Sequence, residues 1–230
     1  MPERNLLFAS VLVLAAAGAA AAGENPGVPV TIQGTHAKMM VLPAAPTQAV
    51  ISPTENGKGL VTIFSSLASK YPKGVYWCCT GYNVMGANSG AGVQWMAGAF
   101  TPAAGHTLTR VEVAVGYSGQ GPNGVVISVN DDNAGIPGKA LKKWSVSGLP
   151  VFGTCCTIVV KTDKAGIALS AGKQYWIVLS TNSSETDTVD GWNVSDADQV
   201  DQATTASYDG SAWHVFQTAP GVAFAVQGSN

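Results

Sequence analysis

Hydrophobic and polar residues alternate in short runs along most of the chain. In the clearest run Val111, Val113 and Val115 fall on one side and Glu112 on the other, a period of two that predicts a β-strand with one face in a core. Helical periodicity is almost absent, and Gly, Asn, Asp and Pro separate the runs. The pattern predicts a single all-β domain over residues 57–230, an antiparallel β-sandwich of jelly-roll or Greek-key type. Further runs of this kind occupy residues 125–129, 155–161, 174–181 and 222–227.

The N-terminal part has a different composition. Its apolar stretch from Leu6 to Ala22 is shorter than the roughly 20 residues of a transmembrane helix, and small residues at Ala20 and Ala22 fit a signal peptidase site. We therefore expect a signal peptide over residues 1–22, a secreted product and no membrane span after cleavage; the alternative is an uncleaved N-terminal anchor. Residues 23–56 are rich in Pro, Ala and Thr without an apolar period, which predicts an extended leader.

The charge composition narrows the range of partners. Charged residues make up 11% of the chain, against about 25% in an average soluble domain. The 12 Lys and Arg against 14 Asp and Glu give a net charge of -2, and along the sequence no basic cluster exceeds a local pair. This argues against nucleic acid or an anionic membrane as the partner. A hydrophobic content of 46% excludes a disordered chain.

Four cysteines come as two doublets, Cys78-Cys79 and Cys155-Cys156. Export places them in an oxidising compartment, where we expect disulfides, and four cysteines allow three connectivities. We predict pairing between the doublets, because a bridge across about 75 residues contributes on the order of 4 kcal/mol whereas a vicinal bridge closes almost no loop. Two such bridges do not fit an ideal ladder, so we expect irregular backbone at one doublet. A four-cysteine metal site is the alternative, but the two-residue spacer of zinc ribbons is missing.

Several segments of the predicted domain carry a resemblance to a known family. The most specific are the turn Asp131-Asp-Asn-Ala-Gly-Ile-Pro-Gly138 and the step Ala171-Gly-Lys-Gln-Tyr-Trp176, which occur in order with Val93 to Pro102, Leu108 to Val113 and Phe224 to Gly228. Together they resemble the choice-of-anchor R domain of exported bacterial proteins over roughly residues 57–230. The resemblance implies a secreted or surface-attached bacterial β domain and no catalytic residue. The sorting tail of anchored members is absent here, so we expect a freely exported product.

Two oxygen-rich stretches are candidates for calcium. Residues 130–135 lack the spacing of an EF-hand loop and are interpreted as a tight turn between strands. Six of the fourteen acidic residues fall between 185 and 201, and clustered carboxylates repel one another unless a cation or solvent screens them. No cofactor is required by this sequence, but calcium is a candidate there. The predicted ligands are Asp187, Asp190, Asp196 and Asp198, and the alternative is a solvated mobile loop.

Six tryptophans are candidates for ligand contacts. Exposed indoles can stack on the apolar faces of sugar rings, and a secreted sandwich with such residues suits an extracellular glycan or cell-surface component. Most tryptophans are expected in the core. Trp192 and Trp213 follow loop-forming residues and are therefore the predicted ligand-binding pair.

The supply of catalytic groups is thin. Only His36, His106 and His214 are present, and no nucleophile elbow, metalloprotease helix or phosphate-binding glycine loop occurs. We predict a disulfide-stabilised binding or structural module that is not an enzyme. The alternative is an extracellular polysaccharide hydrolase with paired carboxylates such as Glu112 and Asp131, although Glu112 alternates onto what the pattern predicts to be a solvent face.

Overall fold

The computed structural model describes most of the chain from residue 28 onward as β-strands. The described residues are 28–31, 37–41, 59–67, 76–154, 158–182, 186–195, 204–216 and 220–230, and no helix occurs among them. The strands are β1 Val28–Thr31, β2 Lys38–Val41, β3 Val61–Ser65, β4 Trp77–Met85, β5 Trp95–Phe100, β6 His106–Val113, β7 Val115–Gln120, β8 Gly124–Asn133, β9 Ile136–Ser147, β10 Val159–Leu169, β11 Tyr175–Ser180, β12 Val189–Val194, β13 Thr205–Tyr208, β14 Trp213–Phe216 and β15 Phe224–Ser229. The predicted signal peptide lies outside the described residues.

The strands form three antiparallel sheets that pack as a sandwich. Their orders are β1-β2-β4-β12-β7, β10-β6-β15-β3 and β14-β13-β5-β11-β8-β9. The first two sheets are joined edge to edge, because Asn193 N donates to Ala114 O at 2.8 Å and Ala223 N donates to Asn193 O at 2.9 Å. They form one layer, and the six-stranded sheet forms the other. The predicted all-β sandwich is confirmed, with crossovers between strands distant in sequence.

The core lies between the two layers. The alternation of side chains along each strand explains which residues form it. Val111 and Val113 of β6 are buried from one layer, and Ile127 and Val129 of β8 from the other. Phe224 lies among them and stacks on Phe64 with ring centroids 5.1 Å apart. The predicted inward faces of both runs are therefore confirmed.

The leader expected over residues 23–56 contributes two strands, so the sandwich begins earlier than predicted. β2 pairs with β4, and Ala37 is fully buried in the core. The side chain of Gln94 holds the backbone of Lys38, since its Oε1 accepts from Lys38 N at 2.7 Å and its Nε2 donates to Lys38 O at 2.9 Å. The buried side-chain amide of Gln94 thus takes the place of a strand partner for the backbone of Lys38. The absence of periodicity hid this contribution, because the segment makes only four-residue strands.

The tight turn predicted within residues 130–135 is confirmed as the β8–β9 hairpin. Ala134 and Gly135 both have positive φ, 54° and 87°, between the paired residues Asn133 and Ile136. This is the conformation of a two-residue type I′ turn, which matches the twist of the strands it joins. Asp132 Oδ2 accepts from Gly135 N at 3.0 Å and fixes the turn.

Arg110 and Glu112 lie on the outer face of β6, as the alternation predicts, but not in solvent. Their side chains are only 11% and 8% exposed, and Arg110 Nη2 lies 2.7 Å from Glu112 Oε1. The prediction of a solvated face is wrong here, because a buried carboxylate is tolerated when an ion pair neutralises it. The ion pair also occupies the carboxylate that a paired-carboxylate hydrolase would use.

The six-stranded sheet curls strongly. Cα atoms of its two edge strands, β9 and β14, approach within 8 Å, although four strands separate them in the sheet order. The opposite layer occupies one side of this sheet, so the curl closes over the other, which we call the outer face. A second buried cluster lies there, with Ala97, Ala206 and Trp176 each fully buried. The outer face is therefore concave and partly closed.

Candidate functional site

Three aromatic residues stand side by side on the outer face, and we call them the aromatic strip. Tyr208 of β13 is paired directly with Trp213 of β14 on one side and with Trp95 of β5 on the other. The ring centroids of Trp95 and Tyr208 are 4.7 Å apart, and those of Tyr208 and Trp213 are 5.4 Å apart. All three side chains are partly exposed. The strip is a row of amphipathic rings that are held in place by one another and still reach solvent.

The floor beside the strip is made of small residues and one buried indole. Trp213 packs against the cluster that contains Ala97, Ala206 and Trp176. Trp176 Nε1 donates to Asp132 Oδ1 at 2.8 Å, and Gln174 Nε2 donates to the same oxygen at 2.8 Å. A hydrogen-bonded indole cannot rotate freely, so this floor is rigid. The β8–β9 hairpin, which carries Asp132, thereby supports the outer face.

The pKa of Asp132 reflects its burial and the hydrogen bonds that it accepts. Partial burial acts to raise the pKa of Asp132, but hydrogen bonds from Trp176, Gly135 and Gln174 and the charge of Lys173 outweigh it. The pKa of Asp132 is therefore held below its usual value, and the carboxylate stays ionised. All of its described contacts belong to the turn and the floor.

A polar turn borders the strip between β13 and β14. Asp209 Oδ1 accepts from Ser211 Oγ at 2.7 Å and from Ala212 N at 2.9 Å, and Asp209 Oδ2 lies 2.7 Å from His214 Nε2. The hydrogen bonds from Ser211, Ala212 and His214 hold the pKa of Asp209 well below its usual range. Ser211 and His214 bind the same carboxylate.

The structure separates the two tryptophans predicted to bind ligand. Trp213 is partly exposed in the strip, whereas Trp192 is fully buried in β12 and its Nε1 donates to Ala223 O at 2.9 Å. Its ring meets Phe224 edge-on, with centroids 6.0 Å apart. The prediction of an exposed Trp192 is wrong because the preceding Asp190-Gly191, which resembles a turn, is part of a central strand.

The predicted calcium ligands are not brought together where the structure describes them. Asp187 is exposed in the turn before β12, whereas Asp190 is fully buried inside β12 and does not lie on a solvated loop. Asp196 and Asp198 lie outside the described residues. Among the residues that are described, no group of three or more His, Cys, Asp or Glu side chains could hold a metal ion.

A second aromatic feature covers the outside of the five-stranded sheet. Phe152 is buried against the backbone of three strands at Gly81, Gly116 and Gly191, which we call the glycine slot. A Cβ at Gly81 would lie 2.9 Å from the Phe152 ring, and one at Gly116 would lie 2.8 Å from its Cα. Only glycine leaves room for the ring at this depth. Phe152 N also donates to Tyr117 O at 2.8 Å, which fixes the loop that carries the ring.

Along the chain, Gly81 of the glycine slot comes shortly after the first cysteine doublet, and Phe152 comes shortly before the second. The register of β4 against β12 jumps from Gly81 to Trp77, so the backbone is irregular across the first doublet, which confirms that part of the prediction. Tyr76 Oη donates to Thr154 O at 3.4 Å, so the residues flanking both doublets meet. The side chains of Cys78 and Cys79, and the whole of Cys155 and Cys156, lie outside the described part of the chain.

Sequence reasoning missed two members of the aromatic strip. Tyr208 and Trp95 are far apart in sequence, and only the pairing of β13 with β5 places them together. The available signal was the aromatic pair Tyr208 and Trp213 on either side of a short turn with Asp209 and Gly210, which is the pattern of a hairpin.

Searches against family models, curated proteins and solved structures found no match to this chain. The resemblance to the choice-of-anchor R domain therefore stays a prediction. Within the described residues, no helix is long and apolar enough to cross a membrane.

Proposed function

We propose that this protein is a secreted, non-catalytic binding module that holds an extracellular glycan on the aromatic strip. The observation that carries the proposal is the row of Trp213, Tyr208 and Trp95, three neighbouring rings that remain partly exposed on a rigid sheet. Aromatic side chains on strands are fixed in position, so binding costs little conformational entropy. Sugar rings offer apolar C–H faces to such a surface, and Asp209 in the turn at its border offers a polar group for hydroxyls.

The contacts of the candidate carboxylates support a binding role over hydrolysis. A hydrolase through Glu112 and Asp131 would need both carboxylates on one substrate. Glu112 is buried beside Arg110 in β6, whereas Asp131 lies on β8 in the opposite layer. The alternative hydrolase therefore has no shared cleft for this pair.

The export of the protein and its disulfides are part of the same proposal. Pairing between the Cys78-Cys79 and Cys155-Cys156 doublets is supported by the contact of Tyr76 with Thr154 and by the burial of Phe152 next to the first doublet. Peptide mapping of the exported protein without reductant should recover one fragment that joins both doublets. Four free thiols would instead overturn the cross-link.

The binding proposal is tested with a panel of polysaccharides and the full chain, with and without calcium. We expect binding that Trp213→Ala weakens at least about fivefold, since a stacked ring contributes about 1–3 kcal/mol by analogy with stacking on bases. Trp77→Ala is the matched control, because Trp77 is 54% exposed on the other layer. Binding that both variants retain, or no binding across the panel, would contradict the proposal and favour a purely structural role. Calcium dependence would implicate the acidic segment.

A further inference from the structure

The rings of the aromatic strip stack on one another along the sheet. The planes of Trp95 and Tyr208 are only 25° apart, and their centroid distance of 4.7 Å equals the spacing of neighbouring strands. On its other side Tyr208 meets Trp213, with the ring planes 46° apart. Tyr208 therefore has a ring against both of its faces and turns mainly its rim toward solvent.

An aromatic ring attracts the C–H groups of a sugar through its face and not through its rim. The face carries the negative part of the ring quadrupole and the rim carries the positive part, whereas C–H hydrogens are slightly positive. A sugar ring therefore gains stacking energy only where a face is free. In a stack of three rings, free faces remain only at the two ends, at Trp95 and at Trp213.

The end at Trp213 is the open one. Among the described strands only β13 pairs with β14, whereas β5, which carries Trp95, lies between β13 and β11, and Trp95 Nε1 is buried. Trp213 rests with one side on Tyr208 and the alanine floor. Val215, two residues further along β14 and on the same face, is 40% exposed, so the approach of β9 leaves this surface open.

The floor next to the strip limits the ligand to this end of the stack. Ala206 and Ala97 continue the sheet inward from Val215, and both are fully buried. A ligand on Trp213 cannot extend across them. Asp209, in the turn before β14, has a side chain that is 37% exposed and offers carboxylate oxygens to a hydroxyl.

We infer that the site holds a single sugar ring, so that a monosaccharide is a sufficient ligand. This inference rests on the proposed function and names the part of a glycan that is bound. The sugar ring stacks on the free face of Trp213, and the carboxylate of Asp209 accepts a hydrogen bond from one of its hydroxyls. Tyr208 and Trp95 are positioning residues that hold the indole of Trp213 from behind.

The test measures the affinity of the full chain against the length of the glycan. The probes are the methyl glycosides of glucose, galactose, mannose and N-acetylglucosamine and the β-1,4-linked trisaccharide of each. From one ring to three we expect the affinity to rise at most about threefold, the statistical gain of offering three rings. A strip that held three sugar rings would gain about fivefold for each further ring, or about 25-fold, by analogy with stacking on bases, and that gain would overturn the inference.

Trp213→Phe and Trp95→Phe make a matched pair at the two ends of the stack. Trp213→Phe should weaken binding of the methyl glycoside about two- to fivefold, because a phenyl ring offers a smaller face, whereas Trp95→Phe should leave the affinity within about twofold. Both variants keep an aromatic ring in the stack, and a thermal melt checks that each remains folded. Equal losses in the two variants would overturn the inference.

The remaining outcomes separate this inference from the proposed function. Binding of a polysaccharide from the panel that Trp213→Ala weakens, without binding of any methyl glycoside, would overturn the single-ring site and leave the aromatic strip as a site for chains. No binding of the methyl glycosides, the trisaccharides or the polysaccharides would overturn the proposed function itself, and this inference with it.

Discussion

Both layers carry aromatic side chains on their outer faces, but the two faces treat them differently. On the five-stranded sheet, Phe152 sinks into the glycine slot and is almost fully buried. On the six-stranded sheet, Trp213 and its neighbours stand beside alanines and remain partly exposed. A glycine floor lets a ring reach the backbone, whereas an alanine floor keeps it one methyl group away. We call the first the closed face, because its ring is buried, and the second the open face, because its rings remain partly exposed.

The largest expected effect is the loss of the closed ring. Phe152→Ala should lower the free energy of unfolding by about 3–5 kcal/mol, because it removes a buried aromatic side chain and leaves the slot empty. In a thermal melt this corresponds to a decrease in Tm of about 6–20 °C. Val151→Ala is the control, since Val151 precedes Phe152 and is 64% exposed. A decrease no larger than that of Trp213→Ala would contradict the contrast between the faces.

The floor of the slot is the next test. Gly191→Ala should destabilise the protein by about 1–3 kcal/mol, because the added Cβ would overlap the ring of Phe152. Gly105→Ala is the matched control, since a Cβ there would lie 3.7 Å from its nearest neighbour, Leu169 O. In the Phe152→Ala background the cost of Gly191→Ala should largely disappear, because the clash needs the ring. Additive losses in the double variant would show that the ring is not what requires this glycine.

This dependence on distant residues explains what the sequence could and could not predict. The alternation of Val111 and Val113 predicted a strand and its buried face because the signal is local. Gly191 precedes Trp192, and together they resemble a turn and an exposed indole. The glycine is there to accommodate Phe152, which comes from another part of the chain, so no local pattern could place Trp192 in the core.

The candidate site shows the same difference between features that a local sequence pattern predicts and features that depend on distant residues. Trp213 could be singled out because it follows a loop and lies on an edge strand. Its partners Tyr208 and Trp95 depend on strand register. Side-chain types were readable from the sequence, whereas their convergence was set by strand pairing that a single sequence does not specify.

The open face should respond to acid. The lowered pKa of Asp132 means that its ionised form stabilises the folded state above about pH 4, and that this contribution is lost as the pH falls further. Wild type should therefore lose more Tm between pH 6 and roughly pH 3 than Asp132→Asn. Asp163→Asn is the control for a carboxylate of lowered pKa that belongs to the β9–β10 edge and not to the floor. Equal pH dependence of wild type and Asp132→Asn would show that this carboxylate does not hold the floor.

The smallest expected effect has the opposite sign. Ala134 has a φ of 54°, a left-handed conformation that disfavours residues with a Cβ, at the tip of the hairpin that supports the open face. Ala134→Gly should therefore raise the free energy of unfolding by about 0.5–1 kcal/mol, the relief of strain being partly offset by the greater flexibility of glycine in the unfolded chain. The same substitution at Ala140, inside β9, should lower stability, because there glycine only adds unfolded-state entropy. If both variants were destabilised, the turn would not be strained at Ala134. If Ala134→Gly also leaves the contribution of Phe152 unchanged, the open and closed faces are stabilised independently.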